Sequence, residues 1–134
     1  MGPSGDSGLR TLTDLFRQRR PLDGSIPLIS TPTGTTVSYD DADRLAARLA
    51  NTLWGQGVRP GDRVAVQVHK SPTAVMLYLA CVRVGAVFLP LNTAYSDAEV
   101  GYVLGDARPS ASVCDPTRRG SRSHRHRQSA PRCP

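Results

Sequence analysis

Apolar positions change their period several times along this chain, and each change predicts an element. Leu12, Leu15 and Phe16 share one face of a short helix over 11–20, with Thr11 and Asp14 spaced as a capping box. Pro21 ends it, because proline has no N–H to continue the helical ladder. Two short runs, 26–29 (IPLI) and 35–39 (TTVSY), flank the turn Thr31-Pro32-Thr33-Gly34 and predict a hairpin. Ser38 then caps a helix, with Asp41 three positions on. Its apolar residues Ala42, Leu45, Ala46, Leu49, Ala50 and Leu53 recur at the spacing of one buried face. Gly57 stops it, free to take the left-handed conformation a helix end needs.

Beyond the turn pair Pro60-Gly61, the pattern shifts to period two. Val64, Val66 and Val68 alternate with Arg63 and Gln67, a strand over 63–68. Ser71-Pro72 is an N-cap followed by a first-turn proline, opening a helix over 72–84. That helix is apolar nearly all round, which predicts burial, and Gly85 ends it. The run AVFLPL (86–91) predicts an interior strand with Pro90 near its end. Ser96 and Glu99 form another capping box, opening a helix to about Gly105, and 111–114 (ASVC) predicts a last short strand. Strand, helix, strand, helix, strand from residue 63 onward implies an α/β fold. Its core is a partial, mostly parallel sheet with crossover helices.

Length and composition narrow the class. The 134 residues leave room for one domain. No stretch approaches the ~20 apolar residues of a bilayer span. Met1 to Gly8 carries no apolar h-region and is expected to be disordered, so the expected location is cytoplasmic. Three Cys without a CxxC pair argue against a disulfide framework or a standard zinc finger.

Locating the charge changes what the net +6 means. Residues 1–116 hold 11 basic and 11 acidic side chains and balance; residues 117–134 hold six Arg and no acid. A basic balance of this kind describes a tail, not a face of the folded part. The tail TRRGSRSHRHRQSAPRCP has no Leu, Ile, Val, Met or aromatic residue and is expected to be disordered. Three readings of it are open. It is a nucleic-acid-binding arm, which would make the chain a small basic adaptor. Or it is a metal-binding tract through His124, His126 and Cys133, though their spacing is irregular. Or it is an out-of-frame read of a GC-rich gene, favoured by a chain with 16 Arg and a single Lys. The expected organisation is therefore a disordered 1–8, an incomplete α/β region over 9–116, and the Arg-rich 117–134.

Several strings carry a resemblance. Residues 57–68 read GVRPGDRVAVQV, 76–95 read MLYLACVRVGAVFLPLNTAY, and 96–115 read SDAEVGYVLGDARPSASVCD. In their order and spacing they resemble the N-terminal part of the large domain in the AMP-forming acyl-CoA synthetase (adenylate-forming) superfamily. Within it, HKS (69–71), LYLA (77–80), FLPLNTAY (88–95), DA (106–107) and VCDPTRR (113–119) look most like bacterial malonyl-CoA synthetases. The resemblance covers about residues 10–119. It implies a two-step reaction: a carboxylate attacks the α-phosphate of Mg-ATP, and CoA then displaces AMP from the acyl-adenylate. ATP, Mg2+ and CoA are thus implied for the family, with small-molecule substrates as partners.

The sequence departs from the family where that chemistry begins. The Ser/Thr/Gly-rich phosphate loop with its Lys, the acidic Mg-binding motif, the ribose-binding Asp and the C-terminal catalytic Lys have no counterpart here. No catalytic residue, metal ligand or cofactor is expected for this chain alone, and a downstream fragment is a conceivable complement. Lys70, the one Lys, sits at a strand-to-helix turn. It is the weak candidate for attracting a CoA or nucleotide phosphate, against a plain solvated lysine.

The other chemistry-bearing residues have bland readings beside the sharp ones. Thr33-Gly34-Thr35-Thr36 superficially resembles a phosphate loop but reads as a hairpin turn, with no helix following to supply convergent amides. Cys81 and Cys114 read as core thiols, and His69 as structural. Tyr39, Tyr78, Tyr95 and Tyr102 share no face on which bases would stack. Asp40, Asp41 and Asp43 suit the positive end of a helix.

Overall fold

The computed structural model describes residues 11–118. The expectations about residues 1–8 and most of the Arg-rich tail, with His124, His126 and Cys133, lie outside that range. Elements run in the order α1 (Leu12–Arg19), β1 (Pro27–Ser30), β2 (Thr36–Ser38), α2 (Tyr39–Gly55), β3 (Arg63–Gln67), α3 (Pro72–Val84), β4 (Val87–Pro90), α4 (Asp97–Ala107) and β5 (Ala111–Cys114). A single 3-10 turn, Pro116–Arg118, follows β5.

Local chemistry sets the boundaries. Thr11 and Asp14 form a full capping box on α1, and Ser96 and Glu99 form one on α4. The Ser38 hydroxyl accepts from the Asp41 amide at 3.1 Å, and Ser71 accepts from Ala74 at 3.1 Å with Pro72 in the first turn of α3. At the end of α2, the Gly57 amide donates to the Trp54 carbonyl and the Val58 amide to the Leu53 carbonyl, both at 3.0 Å. This pair of hydrogen bonds is a Schellman motif; Gly57 supplies the positive φ of 94°, and Val58 and Leu53 close it inside the core.

β1 and β2 make a separate antiparallel hairpin. The larger sheet has the order β4-β3-β5, and β3 pairs in parallel with both neighbours. The chain steps from β3 out to β4, then back past β3 to β5. Crossovers of one hand that run in opposite directions must lay their helices on opposite faces. That is the arrangement found. Leu77, Ala80, Cys81 and Val84 of α3 pack with Val64, Val66, Ala111 and Leu53 on one face. Val100 of α4 packs with Ala65 and Leu91 on the other. The α/β class, parallel sheet and crossover helices expected from the pattern are present.

Three expectations need correcting. β4 is an edge strand among the described residues, not an interior one, and Val87 is 50% exposed. Pro90 is tolerated there because the outer edge of β4 makes no ladder. The interior strand is β3, where Gln67, read as alternating with the apolar side of the strand, is 1% exposed. Last, α3 is not buried all round: Val75 and Tyr78 are exposed.

Candidate functional site

The carboxyl ends of parallel strands are where α/β sheets gather ligands, because the loops there diverge and leave a crevice. Here that edge is formed by the residues that follow β3, β4 and β5. Between the ends of β3 and β5 lies an open crevice of about 320 Å³. Leu49 and Leu53 of α2, Val68, Leu77 of α3 and Val113 of β5 give it apolar walls; His69, Ser71, Thr73 and Asp115 stand among its polar groups. The amino end of α3 opens onto it through Ser71, Thr73 and Ala74.

Asp115 ties the mouth together. One of its carboxylate oxygens accepts from the His69 amide at 3.3 Å and lies 3.7 Å from His69 Nε2. The pair joins the loop after β3 to the end of β5. His69 is thus at the crevice, with its side chain mostly exposed. Lys70 is exposed and does not line the crevice. The fold brings His69 and Ser71 into one place and leaves Lys70 outside it.

On the opposite face, the buried Gln67 donates from Nε2 to the Asn92 carbonyl at 2.8 Å, fixing the loop between β4 and α4. Asn92 Oδ1 accepts from the Ala94 amide at 2.9 Å, an Asx turn that shapes the same loop. Gln67 carried a usable signal in the sequence: a polar residue in a strand flanked by two apolar strands is buried when that strand is central, and must then find a partner. Ser112, 3% exposed on β5, has an Oγ with no hydrogen-bond partner.

Other candidate residues resolve into structural roles. Thr33–Thr36 forms the hairpin turn: the Gly34 amide donates to the Thr31 carbonyl at 3.0 Å and the Thr35 amide to Thr31 Oγ1 at 3.0 Å. Amides spent inside a turn are not available to a phosphate, so this segment does not fit the triphosphate of ATP. Asp40 pairs with Arg20 at 2.6 Å, Asp41 with Arg44 at 2.6 Å and Asp43 with Arg83 at 3.0 Å. The Arg44 contact, with the Ser38 hydroxyl, holds the Asp41 carboxyl below the usual range. For Asp43 the Arg83 bridge between α2 and α3 replaces the helix-dipole reading. Tyr39 stacks on Phe16 with centroids 5.9 Å apart, and Tyr78 meets Phe88 edge-on at 5.4 Å. Burial pushes the Cys81 thiol up to about 11, so it is inert at neutral pH. Cys114 is buried at the end of β5, 8% exposed. Among the described residues no group of His, Cys, Asp or Glu is placed to hold a metal ion, and no helix is long and apolar enough to cross a membrane.

The model for "AMP-binding enzyme" matches residues 18–133. The chain belongs to the AMP-binding enzyme family. Its similarity to individual members is substantial. It is 41% identical over 83 residues to the feruloyl-CoA synthase of an Amycolatopsis species, covering 62% of this chain and 17% of the relative. ATP-bound MatB from Rhodopseudomonas palustris superposes with a TM-score of 0.73 at 44% identity, over 81% of this chain and 22% of that one. The N-terminal domain of FACL13 from Mycobacterium tuberculosis superposes with a TM-score of 0.79 at 25% identity, over 92% of this chain and 32% of that one. The α/β unit described above is thus the N-terminal part of the adenylate-forming fold. The chain spans only 16% to 17% of the length of the first curated relatives it matches.

Proposed function

We propose that this chain is the opening portion of an AMP-forming acyl-CoA ligase. The full reaction would join malonate or a similar small carboxylate to CoA, converting ATP to AMP and diphosphate. Family membership supports the reaction class. The 44% identity to MatB, together with the strings HKS, LYLA and FLPLNTAY, supports the small-carboxylate reading and is the observation that carries it. ATP, Mg2+ and CoA belong to the intact reaction, the cytoplasm is its proposed location, and a separate downstream polypeptide is its proposed partner.

Residues 1–134 alone are proposed not to catalyse this reaction. Adenylation places negative charge on a phosphoryl group in flight, and catalysis needs donors and cations arranged around that charge. The described residues provide no such arrangement: the Thr33–Thr36 amides close a hairpin, and Lys70 stands outside the crevice. What the chain does supply is a preformed sheet edge, with His69 and Asp115 joined across its mouth.

The test is ATP–pyrophosphate exchange with malonate. The expected result is exchange at the no-enzyme level for the 134-residue chain. Exchange well above that level would overturn the proposal of inactivity. Exchange by a version extended into a phosphate loop, with malonate preferred over ferulate or octanoate, would support the substrate class; a preference for either of the latter would remove it.

A further inference from the structure

We draw no further inference here: the strongest candidate, the apolar crevice between the ends of β3 and β5, belongs to the site already described, and nothing in the structure shows what covers it.

Discussion

Glu99 shows what one side chain does at a helix start. Its carboxylate accepts from the Ser96 amide at 2.7 Å and the Ser96 hydroxyl at 2.9 Å, which holds its pKa below the ordinary 4.5. A depressed carboxyl contributes stability that is present above its unfolded pKa and is lost as pH falls through its folded value. Stability from this group is therefore expected to fall below about pH 4.5. Glu99→Gln should flatten the acid limb of a melting-temperature profile relative to the native chain while leaving the neutral plateau nearly in place. Ser112 argues in the opposite direction. Its buried hydroxyl has given up water without gaining a partner. Ser112→Ala is expected to leave stability unchanged or raise it, read as an equal or higher urea midpoint; a loss of about 1 kcal/mol or more would mean that the hydroxyl is satisfied after all.

Elements are joined here at a few tight places. Gly85 ends α3 with a φ of 80°, and a Cβ built there would lie 3.3 Å from Pro60 Cβ. Its carbonyl also accepts from the Gly61 amide at 2.9 Å, joining the end of α3 to the turn before β3. Gly85→Ala combines left-handed backbone strain with that close approach and is expected to cost about 1–2 kcal/mol in equilibrium unfolding. Element ends of this kind were readable in the sequence, because a cap involves residues within a turn of one another. Ser71-Pro72 and Gly85 bracket α3 as expected. What the pattern misassigned was burial. Val87, Phe88 and Leu89 read as an interior strand, and Gln67 only as a polar position alternating with the valines of β3. Their true places depend on strand order, which is set by contacts between residues far apart in sequence. The Arg83–Asp43 bridge is such a contact, spanning 40 positions.

At the scale of the whole molecule, the buried Cys81 reports on integrity. It is 0% exposed in α3, packed in the cluster that joins α2, α3 and the sheet. Its modification by a thiol reagent at neutral pH, followed by peptide mass spectrometry, is expected to be slow and to accelerate only through the unfolding transition. Fast labelling in native buffer would mean that the three-stranded sheet and its helices open readily. The molecule is also where function divides. The strings that resemble the adenylate-forming family lie in the sequence, and the family match agrees with them. The crevice does not: Leu49, Val68, Leu77 and Val113 are spread over 65 positions and meet only when β3 pairs with β5 beneath α2 and α3. The sequence by itself determined the helices, their caps, the hairpin turn and the alternation that demands a parallel sheet, because each arises from interactions among near neighbours along the chain. Only the tertiary structure decided that β3 is central, that Gln67 is buried against Asn92, and that His69 meets Asp115. Those outcomes depend on which distant segments exclude water from one another, and local periodicity carries no record of that choice.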